Sequence, residues 1–520
     1  MPRFIYPPLA LLLLALGCFA QSQSQGAARS TPTSSGPRSA RQDPGAQLAW
    51  RNATTDPPPG WTGPTFQLSH DYPQQNPGTC PDTVCKWLAN PTVKTAFLMT
   101  PGSGPLQWTP EWAEYMQQIL DYIRESQDPQ LTDAVGWKVT VDGNIRPRWF
   151  HMPWMAYNPR SGREFVHGLT NERTAVISDF NGPKLLLKGQ KALSSAEVAR
   201  IKAMGQASLP MTPKTTREFL GQNPLPLSGT TQTEKGYETW AFGVYNEWGA
   251  YAIGQTWNPD GTPRITSNPD SGPQPAGLPF PEGTLVAKLL FTTATPTDVD
   301  YLVNSPEWQA DRHVEKDDNT YLCARQVQTV RLVQLDVAVV DGRSPTRWVY
   351  GTFSYNGKSP GKTVWDRLEP VGVQWGNDPW ASPAAPTKDS QPIIQSVLNG
   401  ATGTYQHFGC NGRLAGPVDN KLSSCIACHA NAYTPPVGVA QNASNTNTPV
   451  IFGFPGQCTT NAPQNGDYFT NNQFPMSYAG GQYPNLMSMD TSLQLQVAFV
   501  QYGQFHQFNE PVACVDSDGT

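Results

Sequence analysis

Cys425-Ile426-Ala427-Cys428-His429, a C-x-x-C-H pentad, constrains this 520-residue chain more than any other stretch. Two thiols three positions apart can reach the two vinyl groups of one porphyrin and become thioethers, and the histidine that follows is then held under the ring as an axial iron ligand. With 9 Cys and 7 His in the chain, random placement would produce the pentad on the order of once in several hundred such sequences. The reading is one covalent haem c, bound through Cys425, Cys428 and His429, with His429 as the iron ligand. The same cysteines fit a second chemistry. His407 and Cys410, then fourteen residues, then Cys425 and Cys428 also resemble a zinc-ribbon ligand set. Disulfides are a third reading.

The compartment weighs between them. A short basic start at Met1-Pro-Arg3 leads into an apolar core from Leu9 to Leu16, and Cys18-Phe-Ala20 supplies a small-residue cleavage site. Residues 1–20 therefore read as a secretory signal peptide, too short for a stable span. Cys18 also suits an acylated lipoprotein cysteine, although Ala15 stands where such a site usually carries Leu. The expected location is periplasmic or secreted, without a membrane span, and c-type haem is attached in that compartment. Excluding Cys18 and the pentad leaves six thiols, Cys80, Cys85, Cys323, Cys410, Cys458 and Cys514. An even count in an oxidising compartment favours disulfides, with Cys80 to Cys85 a local loop. Only 15% of residues are charged, against 51 Pro, 45 Gly and 16 Trp, which suits a β-rich, loop-rich exported protein. A net charge of −5 gives no basic footprint, so nucleic acid is not an expected partner.

Along the chain, residues 21–47 are rich in Ser, Gln, Gly, Pro and Ala and read as a flexible linker. Residues 48–235 form an N-terminal region of unknown role, and 236–520 a haem-binding domain. Thr109 as N-cap and Pro110 at the first position open a helix to about Glu125, whose stripe is Trp112, Tyr115, Met116, Ile119, Leu120 and Ile123. The segment from Arg148 through His151, Trp154 and Tyr157 to His167 reads as a packed loop or a source of a second haem ligand. A capping box at Ser194-Ser-Ala-Glu197 opens a helix over Ser195 to Met204. From Trp240 the pattern becomes β. Trp240 to Tyr245, a turn at Asn246-Glu-Trp-Gly249 and Ala250 to Trp257 read as a hairpin. Further strands are Thr284 to Phe291, Val327 to Val340, Trp348 to Tyr355 and Val371 to Trp375, and Gln391 to Leu398 reads as a helix stopped by Gly400. The overall class is a β-rich α+β fold: a twisted antiparallel sheet carrying the haem, after a loop-rich α+β N-terminal region. The Asn-, Gln-, Gly- and Pro-rich chain after the pentad suggests long loops wrapping something.

Two charges interrupt the apolar strands. By alternation Lys288 shares a face with Val286 and Leu290, and Asp336 with Leu332, Ala338 and Val340. A lone buried charge is costly, so each needs a partner or a function. A structural salt bridge, with each other or with other groups, is one solution.

The second half, about Tyr237 to Pro475, resembles the β-sheet monohaem cytochromes, cytochrome c-prime-beta and cytochrome P-460. The matching stretches are collinear: Phe280-Pro-Glu-Gly-Thr-Leu-Val-Ala-Lys288, Leu335-Asp336-Val-Ala-Val-Val-Asp341, Trp348-Val-Tyr-Gly-Thr-Phe353, the pentad, and Asp467-Tyr-Phe469-Thr470. The resemblance implies a haem held against the sheet by the C-terminal segment, an open sixth position on the iron, and a homodimer. It also gives Lys288 and Asp336 roles as distal, catalytic residues: the lysine bonding to the porphyrin edge, the acid taking a proton from substrate. Asp is one methylene shorter than the Glu of that family, so proton transfer would use a bridging water.

The functional expectation is redox chemistry or binding of a small nitrogen ligand, nitric oxide or hydroxylamine, with a periplasmic redox partner. The alternatives are an electron carrier whose sixth ligand is Met476, Met487, Met489 or His506, and a binding protein with a structural metal.

Overall fold

In a computed structural model of the chain the described residues are 41–42, 59–63, 71–104, 106–125, 127–131, 138–141, 144–155, 169–172, 175–176, 225–226, 233–234, 236–268, 272–317, 320–381, 393–400, 407, 409, 412–419, 423–430, 432–434, 469–471, 473–474, 486–507 and 513–514. The signal-peptide reading, the Ser195 to Met204 helix, His167, Cys410, Cys458 and Met476 lie outside them, as do the side chains of Cys323, His506 and Cys514. Within the stretch read as a flexible linker, Arg41–Gln42 forms a short strand against Ala513–Cys514.

The helices used below are α1 (Lys86–Ala89), α2 (Pro91–Phe97), α3 (Pro110–Arg124), α4 (Glu247–Thr256), α5 (Cys425–His429) and α6 (Leu493–Gln507). Nine strands make the main sheet: β1 (Phe150–His151), β2 (Thr170–Asn171), β3 (Thr239–Tyr245), β4 (Leu285–Thr292), β5 (Glu307–Asp317), β6 (Thr320–Val340), β7 (Trp348–Tyr355), β8 (Leu368–Gln374) and β9 (Ser396–Leu398). Their order is β9-β8-β7-β6-β4-β3-β1, with β5 also on β6 and β2 also on β3. Every pairing is antiparallel. The chain is thus an α+β protein with a mostly antiparallel sheet. β1 and β2 come from before residue 236 and hydrogen-bond to β3, so both halves of the sequence build this sheet.

Alternation along β4 and β6 separates two cores. Leu285, Ala287, Leu289, Leu335, Val337 and Val339 face the first, where they meet the stripe of α3. That stripe is the one its spacing predicts, with Tyr122 added. Each such side chain contributes about 1.5–3 kcal/mol when fully buried. α3 lies close to the sheet at Gly351 of β7, where a Cβ would stand 2.6 Å from the Met116 side chain. Trp112 stacks on Trp375 at 4.8 Å between centroids. The second core, on the other face, gathers Tyr245, Phe280, Ala338, Val340, Trp348 and Tyr350 with Ile426, Met487, Met489, Leu495 and Phe499. Cys80 and Cys85 are joined, as their spacing predicts.

Two elements differ from the sequence reading. Asn246-Glu-Trp-Gly is no hairpin turn: Asn246 caps α4, its Oδ1 accepting from Gly249 N at 3.2 Å. Trp248, Gly249, Ala250, Ala252, Ile253 and Thr256 are buried at helical spacing, so Ala250 to Trp257 is not a strand. Asn246 also accepts from Leu285 N and donates to Gly283 O, tying this cap to the start of β4. The expected helix Gln391 to Leu398 is also corrected. Ser396–Leu398 is an edge strand on β8, and Ile394 N and Gln395 N donate to Asp378 Oδ1 instead of closing helical bonds. A short β-branched segment takes the ladder that the neighbouring strand offers.

Candidate functional site

The pentad is a helical turn, α5, opened by Ser424, whose hydroxyl accepts from Ala427 N at 3.3 Å. It is fixed to the sheet through Gln374 at the end of β8, which accepts from Ile426 N and donates to the Ser424 hydroxyl. Cys425 N donates to Leu414 O, and Ile426 enters the second core. One turn of helix puts Cys425, Cys428 and His429 on a common side, and all three line one cavity against the sheet. The cavity is about 180 Å³ in volume and opens to solvent. Val286, Leu290, Ala338, Trp348, Tyr350 and Leu493 make much of its wall apolar.

His429 is held from two sides. Its Nδ1 lies 2.8 Å from the carbonyl oxygen of Thr491, 62 residues on, and its ring is 4.6 Å from that of Tyr350. A carbonyl only accepts, so Nδ1 carries the proton. Nε2 has no hydrogen-bond partner among the described residues and keeps its lone pair for a ligand. Burial pushes the imidazole down to about 4, against the pull of the Thr491 bond, which keeps it neutral. Burial likewise pushes the Cys425 thiol well up, reinforced by Asp419 and Asp336.

Lys288 and Asp336 line the same cavity as the pentad. They sit directly opposite each other on β4 and β6, and both line the cavity wall. They are not ion-paired with each other. Lys288 bonds Glu172 at 3.2 Å, and both side chains remain about a third exposed, at 30% and 35%. Burial acts to lower the Lys288 ammonium, but Glu172, Asp336 and Asp419 outweigh it and hold the lysine charged. Asp336 accepts from Gln334 Nε2 at 2.7 Å and from the Thr352 hydroxyl at 2.8 Å. Gln334 Nε2 also donates to Asp419 at 3.1 Å, so one amide bridges two carboxylates. Burial and the Asp419 charge push Asp336 up to about 8, against Lys288 and the two hydrogen bonds. The wall therefore holds a carboxyl pushed well above the usual carboxylate range, beside an ammonium.

The sequence reading missed Glu172, Gln334, Asp419, Tyr350 and Thr491. Only Gln334 was legible, two residues before Asp336 on the same strand face. Met487 and Met489 are fully buried in the second core and line no part of the cavity. His151 is buried beside Phe242, also away from it. His407 is buried elsewhere in this half, and among the described residues no three His, Cys, Asp or Glu side chains gather as a metal-holding group. No helix among the described residues is long and apolar enough to cross a membrane. Compared with known proteins, the chain matches no family model, no curated protein and no solved structure.

Proposed function

We propose that the chain is an exported monohaem c-type cytochrome whose iron site is open to a small nitrogen ligand such as nitric oxide or hydroxylamine. The observation that carries the reading is the convergence of two thiols and a neutral histidine with an unpartnered Nε2 on one largely apolar cavity. These residues fit a haem: Cys425 and Cys428 would hold it as thioethers, and His429 would ligate its iron. When bound, the haem would supply a redox-active metal with an axial position for a ligand. The chain's own residues supply the rest. Thr491 fixes the His429 tautomer, the apolar strands line the cavity, and Asp336, its carboxyl pushed well up, stands beside the charged Lys288. The burial of Met487 and Met489 away from the cavity supports the reading that neither of them ligates the iron. The resemblance to the cytochrome P-460 type, the hydroxylamine chemistry, the homodimer, the periplasmic partner and the export route belong to this proposal.

The test is the mass of the denatured full chain after export in cells that attach haem c. One haem per chain should survive denaturation, and Cys425→Ala with Cys428→Ala should retain none. A colourless protein carrying one zinc per chain would refute the reading.

A further inference from the structure

We propose that Asp490 and Arg347 form a clamp that aims the Thr491 carbonyl at His429 and thereby sets the orientation and electron donation of that histidine. Its consequence for an iron rests on the haem reading above; its geometry does not.

The clamp is built from a buried carboxylate and three elements. Asp490 is 1% exposed. Its Oδ2 accepts from Phe280 N at 2.8 Å, and its Oδ1 accepts from Trp348 Nε1 at 3.2 Å. Arg347 Nη1 pairs with Oδ1 at 3.2 Å, while Arg347 Nη2 donates to Phe280 O at 2.8 Å. Carboxylate and guanidinium thus grip the two ends of one residue, Phe280, just before β4. Such a site cannot shift without breaking several charge-assisted bonds together.

What the grip holds is an unfavourable backbone. Asp490 and Thr491 have φ of +47° and +65°, two successive non-glycine residues in the left-handed region. For an L-residue this costs about 1–2 kcal/mol, and for a β-branched threonine it is a true outlier. Strain of this kind persists where the surroundings over-determine it, and it gathers at functional sites. Here it turns the Thr491 carbonyl to within 2.8 Å of His429 Nδ1. The Thr491 hydroxyl is occupied elsewhere, accepting from Tyr350 OH at 2.9 Å, so the clamp and Tyr350 hold both ends of the residue. A carbonyl that accepts from the far nitrogen of a ligating imidazole fixes its tautomer and raises its basicity. Asp490 and Arg347 are therefore positioning residues, acting through Thr491.

The test uses the full chain, with and without haem. Asp490→Asn keeps the shape of the side chain and its tolerance for positive φ while removing the charge. In haem-free protein labelled with ¹⁵N-histidine, wild-type His429 should show the Nδ1-protonated tautomer. In Asp490→Asn the tautomers should mix and the Nδ1 proton should exchange about tenfold faster or more, the scale on which losing a partner of a ligating histidine acts. In haem-loaded protein the same change should weaken the iron–histidine stretch and raise the midpoint potential, because a less basic imidazole stabilises oxidised iron less. Arg347→Gln should reproduce these effects, and serves if Asp490→Asn does not fold. Arg347→Lys, which keeps the cation, should restore most of the wild-type signature. If either charge-removing variant only lowers the melting temperature, with tautomer, exchange and potential unchanged, the clamp is structural and the proposal is overturned. If the chain takes up no haem, the cytochrome reading falls, and the ¹⁵N result still decides the clamp.

Discussion

Replacing Asp336 by Asn should make the protein more stable at alkaline pH and flatten its pH dependence. The carboxyl stands at about 8 in the fold against an ordinary 3.8. At about 1.4 kcal/mol per pH unit, that gap would correspond to about 6 kcal/mol. Asp336 is only half-buried and faces a cavity that water can enter, so screening brings the expected contribution to about 1–3 kcal/mol. The folded state binds this proton more tightly than the unfolded chain. Its stabilising contribution is therefore complete below about pH 4 and is lost as pH rises toward about 8. Asn cannot titrate, yet its carbonyl can still accept from Gln334 and Thr352. Urea midpoints of the wild type and Asp336→Asn, measured from pH 5 to pH 9 at equal haem content, should diverge as the wild type loses stability. Parallel curves would show that Asp336 ionises as an ordinary surface acid, and the argument from burial and Asp419 would fail.

Lys288→Met and Glu172→Gln should each cost little, about 0–1 kcal/mol, because their ion pair is about a third exposed. A double-mutant cycle should show Lys288 coupled more strongly to Glu172 than to Thr352, and the reverse order would mean the cavity wall is arranged differently. Met489→Ala should destabilise by about 2–5 kcal/mol, as a cavity in the second core. It should leave the visible spectrum of the haem-loaded protein unchanged. Loss of a sulfur-to-iron band in that variant would instead make the protein a six-coordinate electron carrier.

Where the sequence carries a long, regular pattern, it could be read closely. The stripe of α3 follows its spacing, and β7 runs from Trp348 to Tyr355 as expected. Alternation marked Lys288 and Asp336 as charges within apolar strands, and the structure sets them opposite each other on the cavity wall. The errors fell where a short signal has two meanings. Asn246 serves a turn and an N-cap equally well, and only the burial of Trp248, Ala252 and Ile253 selects the helix. Ser396–Leu398 is a strand because β8 offers it a ladder, a partner that no local pattern announces. The cavity's other groups come from distant chain: Glu172 before β3, Asp419 in the approach to α5, Thr491 after it. Their roles depend on tertiary neighbours, so their surroundings in the sequence are silent.

The Thr491 acceptor stands 62 residues beyond the histidine it steadies. A chain made from its N-terminus therefore carries the pentad before this acceptor is made. Met487, Met489 and Leu495, which complete the second core, arrive with it. On the haem reading proposed above, the thiols would stay reachable while the group is attached, and the closing segment would follow. Order of synthesis would then separate loading from locking.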